Sequence, residues 1–105
     1  MDAFNLVSAF FLDVVEKISG NLKELDLHGT SVTELPSSIM SLDNLEYLYL
    51  SYCPSLERLP NDIQKLKSLE QLYLDTSRSI EKLPKLPKNL SELGSSNCGK
   101  NLKID

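Results

Sequence analysis

The 105-residue chain contains no tryptophan, one histidine, two cysteines and four glycines. Two cysteines are too few for the disulfide framework of a small secreted domain. No apolar run reaches the about 18 residues that a membrane-spanning helix needs. Lysine and arginine number 11 against 15 aspartates and glutamates, and the formal net charge is −4. Because nucleic-acid-binding domains are normally basic, we do not expect a nucleic acid as partner. Because no apolar run is long enough to span a bilayer, we do not expect a membrane as partner either.

Groups that perform catalysis are also scarce. The single histidine, His28, stands near Asp26 with no evident serine or cysteine nucleophile. The cysteines and the histidine lack the C-x-x-C and H-x-x-x-H spacings of zinc sites. No glycine-rich phosphate-binding loop is present. We therefore expect no enzyme activity, no cofactor and no bound metal.

Residues 1–20 differ from the rest of the chain. They carry Asp2 and Asp13 and no lysine or arginine before Lys17, whereas a secretory signal begins with positive charge. The near absence of lysine and arginine also disfavours a membrane-surface helix. Apolar residues recur every three or four positions, as on one helix face: Phe4, Val7, Phe11, Val14 and Ile18. We predict a capping helix over residues 1–20 and a cytoplasmic location.

From residue 21 onward the chain repeats one pattern of leucines. The copies are Leu22-Lys-Glu-Leu25-Asp-Leu27, Leu45-Glu-Tyr-Leu48-Tyr-Leu50, Leu69-Glu-Gln-Leu72-Tyr-Leu74 and the fragment Leu90-Ser-Glu-Leu93. Self-similarity at a period of about 20–29 residues, with the pattern L-x-x-L-x-L, is typical of leucine-rich repeats. We predict repeats over residues 21–105, with units at about 22–44, 45–68 and 69–89 and a partial unit at 90–105.

Each unit has a strand half and a return half. Leucines that alternate with polar residues predict a short strand. Pro36, Pro60 and Pro84 follow, and proline has no N–H to donate within a central strand, so they are predicted on the returns, at the start of short helical turns. Strands that all run in the same direction form a parallel sheet. The predicted fold is an α/β leucine-rich-repeat solenoid, with the sheet on its concave face and irregular or short-helical returns on its convex face.

The ninth position of each unit holds a small residue: Thr30, Cys53, Ser77 and Cys98. We predict that these side chains turn inward and bond to backbone groups of the loops. The two cysteines are two strands apart, which corresponds to roughly 10 Å at the usual strand spacing. A disulfide requires Cα atoms within about 7 Å, so two reduced, buried thiols are expected.

The strand positions between the leucines are predicted to face the concave surface. Tyrosines stand there among carboxylates; tyrosine is frequent at interfaces, and an acidic surface suits a partner that carries lysine or arginine. The alternative is that tyrosine is present only as a good strand former. We expect a monomer that binds a protein, and a basic segment is one kind of partner that this charge suits. The candidate binding residues are Glu24, Asp26, His28, Tyr47, Tyr49, Ser51, Gln71, Tyr73, Asp75 and Glu92.

Three stretches resemble plant intracellular disease-resistance receptors of the nucleotide-binding leucine-rich-repeat type, especially the branch with a Toll/interleukin-receptor-like domain. They are residues 18–39, the segment Tyr52-Cys-Pro-Ser-Leu-Glu-Arg-Leu-Pro60, and Leu83-Pro-Lys-Leu-Pro-Lys-Asn-Leu-Ser-Glu-Leu93 with Cys98 after it. In that family the repeats recognise pathogen proteins and restrain the receptor. The resemblance implies a role in defence signalling, with the missing receptor domains as a further possible partner. Because the nucleotide-binding and signalling domains are not in this sequence, it also implies a truncated fragment.

Two other interpretations stay open. The chain could be a non-functional or purely structural fragment of a larger receptor gene, without a partner of its own. The doubled Leu-Pro steps between Leu83 and Leu90 also resemble bacterial effector-type repeat arrays. Such arrays require most repeats to be near 20 residues, at the short end of the range, and only the last repeat is close to that length.

Overall fold

The computed structural model describes residues 22–35, 37–99 and 103–104. Its strands are β1 Glu24–Asp26, β2 Tyr47–Tyr49, β3 Gln71–Tyr73, β4 Lys82–Leu83, β5 Glu92–Gly94 and β6 Lys103–Ile104. Four of them form a parallel sheet in the order β1-β2-β3-β5, and each comes from one copy of the leucine pattern. The predicted short parallel sheet is confirmed.

The sheet buries one face because leucine occupies the middle of every strand. Leu25, Leu48, Leu72 and Leu93 stand opposite one another in register. Leu48 and Leu72, on the two central strands, are fully buried, and the outer two pack partly buried against the same core. Burying one leucine side chain contributes about 1.5–3 kcal/mol. Other leucines of the pattern that lie in the core are Leu27, Leu45, Leu50, Leu69 and Leu74.

Short helical turns occupy the first two returns, as predicted. These are 3₁₀ helices at Ser37–Ser41 and Ile63–Lys65. Ile39 and Leu42 in the first return are both fully buried, and so is the equivalent isoleucine in the second. The i, i+3 spacing of these apolar residues therefore directs each turn back onto the core.

The third return is extended instead of helical. β4 pairs in parallel with β6 and forms a second, two-stranded sheet, which was not predicted. Leu83 precedes Pro84, and a residue before proline favours extended backbone. Pro84 and Pro87 are buried, and neither has an N–H to donate to a helical turn. The doubled proline thus favours an extended return.

The inward orientation of the ninth position is confirmed. The Cys53 thiol donates to the backbone carbonyl of Leu27 at 3.2 Å, and the Ser77 hydroxyl donates to that of Leu50 at 2.6 Å. Cys98 makes the equivalent bond in the last repeat at 3.2 Å. Both cysteines are free thiols. Each of these side chains joins its own repeat to the preceding one.

The capping helix predicted over residues 1–20 lies outside the described residues, as does most of the chain beyond residue 99. The predicted unit boundaries therefore stay a prediction. Within the described part, no helix has the length and apolar character to cross a bilayer.

Candidate functional site

One face of the four-stranded sheet points away from the leucine core, and we call it the open face. Its side chains are those on either side of the central leucine of each strand, and all of them are exposed or half-buried. Tyr47 stands in register between Glu24 and Gln71, and Tyr49 between Asp26 and Tyr73. The sheet thus brings together the strand residues of the candidate set: Glu24, Asp26, Tyr47, Tyr49, Gln71, Tyr73 and Glu92.

The other three candidates lie in the turns that follow the strands. His28, Ser51 and Asp75 each come two residues after a strand ends. The backbone N–H of His28 donates to Asp26 Oδ1 at 2.9 Å. Asp75 Oδ1 accepts both the backbone N–H and the hydroxyl of Ser96, at 3.0 and 2.7 Å. These residues border the open face along its C-terminal edge.

Two tyrosines of neighbouring strands stack on the open face. The ring centroids of Tyr49 and Tyr73 are 5.3 Å apart and their planes differ by 5°, within the range of favourable stacked pairs. The Tyr73 hydroxyl donates to Gln71 Oε1 at 2.7 Å. The stack therefore presents two aligned rings whose positions are fixed by strand register and by this bond.

Desolvation and nearby carboxylates disfavour ionisation of the stacked tyrosines. Desolvation, followed by the negative charge of Glu24, raises the pKa of Tyr49 above its ordinary value of 10.0. Desolvation, followed by the effect of the nearby Glu92 carboxylate, raises the pKa of Tyr73 in the same direction. Both hydroxyls therefore stay protonated at neutral pH and can donate hydrogen bonds.

The open face carries negative charge without balancing positive charge. Its carboxylates are Glu24 and Asp26 on β1, Glu92 on β5 and Asp75 at the edge. The ion pairs Arg58–Glu34 and Lys65–Asp62 lie on the return segments and not on this face. The open face is therefore acidic and aromatic.

A row of left-handed turns borders the open face. These turns were not predicted from the sequence. The turn residues Gly29, Tyr52, Thr76 and Asn97 have φ of 70°, 57°, 63° and 56°. Tyr52 is 56% exposed and packs on the His28 ring with centroids 5.3 Å apart. The available signal was that Tyr52 occupies the repeat position where Gly29 stands in the first unit.

The arrangement suits binding between surfaces. In the described part of the chain, no group of three or more His, Cys, Asp or Glu side chains could hold a metal ion. A shallow groove lies on the return side, lined by side chains of mixed charge, and not on the open face: Glu57, Arg58, Arg78, Ser79, Glu81 and Lys82. Protein interfaces are enriched in aromatic side chains. The open face carries such side chains and the lining of the groove does not, so the groove is the weaker candidate for a binding site.

Comparison with protein families agrees with this geometry. The family model of a leucine-rich repeat region matches residues 16–101, which is most of the chain. A comparison with curated proteins gave no match. The parallel strands and the inward leucines are the features on which leucine-rich repeats are built, and such domains generally mediate protein interactions. The chain belongs to the leucine-rich repeat family.

Proposed function

We propose that the chain is a protein-interaction module whose open face binds a basic segment of a partner protein. The observation that carries this proposal is the stacked Tyr49–Tyr73 pair among the carboxylates of the face. Aromatic rings supply contact area at low entropy cost, and tyrosine is enriched among residues that dominate binding energy. Opposite charge on the partner speeds association and suppresses acidic competitors.

The size of the face sets the expected strength of binding. Four strands of three residues offer few contact positions. Stable protein interfaces bury about 800 Å² on each partner. A contact confined to this face is therefore expected to be weak and transient, unless the partner also reaches the turn row that contains Tyr52.

We also propose that the module acts in the cytoplasm of a plant cell, in recognition of pathogen proteins or in restraint of an immune receptor. The support is the resemblance of residues 18–39 and of the last repeat to receptor repeats. In this proposal the described sheet belongs to a curved solenoid whose concave side is the open face. The partner is a pathogen protein or another receptor domain, and the module has no enzyme activity of its own.

Capture from plant leaf extract tests the assignment of the binding face. The bait is the whole chain, compared with a variant that carries Tyr47→Ala, Tyr49→Ala and Tyr73→Ala. We expect the wild type to retain partners that the variant loses. A matched control with Glu57→Ala, Arg58→Ala and Lys65→Ala, all on the exposed return side, should retain them. Circular dichroism must show both variants folded. If the tyrosine variant keeps every partner, the open face is not the binding surface.

The genomic sequence beside the coding region tests the proposed biological context. A receptor origin predicts neighbouring exons for a nucleotide-binding domain and a Toll/interleukin-receptor-like domain. If the flanking sequence belongs to an unrelated gene and contains neither domain, the receptor proposal is wrong, while the protein-binding proposal stands or falls on the capture experiment.

A further inference from the structure

The two ends of the tyrosine stack face different strands, β5 beyond Tyr73 and β1 beyond Tyr49. Tyr73 covers the side of Tyr49 that faces β3, because the two rings are nearly parallel. Beyond Tyr73 stands Gly94, and a Cβ added to that glycine would lie 3.0 Å from Cδ1 of the Tyr73 ring. The Tyr73 ring therefore already occupies the space above the glycine. The opposite face of the stack is the side of Tyr49 that looks toward β1.

Two carboxylates stand on β1, on the side of Tyr49 away from Tyr73. Asp26 stands directly opposite Tyr49 in register, and Glu24 lies two residues before it on the same strand. The bond from the His28 N–H to Asp26 Oδ1, at 2.9 Å, limits rotation of that carboxylate and leaves Oδ2 for a ligand. Glu24 stands in register with Tyr47, two residues before Tyr49 on β2, and its negative charge raises the pKa of the Tyr49 hydroxyl.

No lysine or arginine stands on the four strands that form the open face. The strand positions of the open face hold acidic, aromatic or amide side chains and one glycine. Glu24 and Asp26 take no part in the ion pairs of the described residues, which join Arg58 to Glu34 and Lys65 to Asp62. The corner of the open face at β1 therefore combines an accessible aromatic ring with two negative charges that a partner could neutralise.

We infer that this corner is a subsite for an arginine side chain of the partner, with its guanidinium flat against Tyr49 and its N–H groups donating to Asp26 and Glu24. The inference rests on the proposed function and adds the identity of the partner residue. A planar guanidinium stacks on an aromatic ring while its edge donates to carboxylates. A lysine ammonium is a compact, strongly hydrated charge and cannot stack and make a two-pronged bond at once.

Selection from a random displayed peptide library against the whole chain tests the inference. Selected peptides are expected to share an arginine. Replacing it by lysine should weaken binding about five-fold, which corresponds to roughly 1 kcal/mol, the net contribution of one hydrogen bond that lysine cannot make while it contacts the ring. Tyr49→Leu should remove the difference between arginine and lysine, whereas Tyr49→Phe, which keeps the ring, should retain it. Asp26→Asn should weaken binding, and Asp43→Asn, an exposed aspartate on a return, should not.

The outcomes separate the inference from the proposed function. Peptides that lose binding to Tyr49→Leu but contain no arginine, or tolerate lysine in its place, would support the binding face and overturn the arginine subsite. Peptides that bind all variants of the open face equally would overturn both. Failure to select any peptide that binds the folded chain would also count against both, since a surface built for a linear basic segment must recognise one.

Discussion

At the scale of single residues, three non-glycine residues of the turn row have positive φ, and asparagine tolerates this conformation better than tyrosine or threonine does. Tyr52 and Thr76 adopt positive φ without being glycine, and the left-handed conformation costs an L-residue about 1–2 kcal/mol. Thr76 is also β-branched, which makes this conformation rarer still. Backbone strain is often retained at binding sites, and Tyr52, exposed beside His28, fits that description.

Replacing Thr76 by glycine should therefore stabilise the fold. Removal of the strain, less the extra chain entropy of glycine, is expected to raise the free energy of unfolding by about 0.5–1 kcal/mol. Urea denaturation followed by circular dichroism measures this. Thr33→Gly, at an exposed position without positive φ, should stabilise nothing. If Thr76→Gly destabilises the chain as much as Thr33→Gly does, Thr76 is not strained.

The stacked tyrosines predict a loss of stability at alkaline pH. Because the folded state raises the pKa of Tyr49 and Tyr73 above 10.0, their contribution is fully present below pH 10.0 and is lost as pH rises through the folded values. The urea midpoint of the wild type should be lower when it is measured above pH 10.0 than when it is measured below pH 10.0. The double variant Tyr49→Phe/Tyr73→Phe should fall less, and an equal fall would show that these hydroxyls are not responsible.

At the scale of elements, central and outer strands should contribute unequally to stability. Leu72 lies in β3, with paired strands on both sides, and is fully buried. Leu93, its register partner in β5, is only partly buried. Leu72→Ala should cost about 2–5 kcal/mol, the usual range for a core leucine, and Leu93→Ala distinctly less. Chemical denaturation of the two variants gives the comparison, and equal losses would contradict the described sheet.

Leucine periodicity was sufficient to predict these elements, since each strand and its central leucine recur at the same place in all four copies of the pattern. The inward role of Cys53 also followed from its alignment with Ser77. Pairing of β4 with β6 was not predicted, because the return segments show proline and no strand-like alternation of leucine with polar residues. The Tyr49–Tyr73 stack depends on side-chain rotation, which alternation along a strand does not determine.

At the scale of the whole molecule, charge is separated between two surfaces. The open face holds carboxylates, whereas the described ion pairs Arg58–Glu34 and Lys65–Asp62 are on the returns. An acidic face attracts a basic partner over a distance set by the ionic strength, about 8 Å at 0.15 M and about 3 Å at 1 M salt.

Binding of a basic partner should therefore weaken as salt rises. We expect the association rate to fall more steeply than the dissociation rate increases, because long-range attraction acts on encounter. Surface plasmon resonance over a salt series with a captured partner or selected peptide measures both rates. The variant Glu24→Gln/Asp26→Asn should show a shallower dependence, and the same slope as the wild type would exclude these carboxylates from steering.

The most direct test of the binding face is nuclear magnetic resonance of the labelled chain titrated with a captured partner or selected peptide. The account predicts that the largest shift changes occur in β1, β2 and β3 and at the Tyr49 and Tyr73 rings, with small changes in the return at Ile63–Lys65. Shift changes concentrated on the returns, with the strands and both rings unmoved, would contradict it.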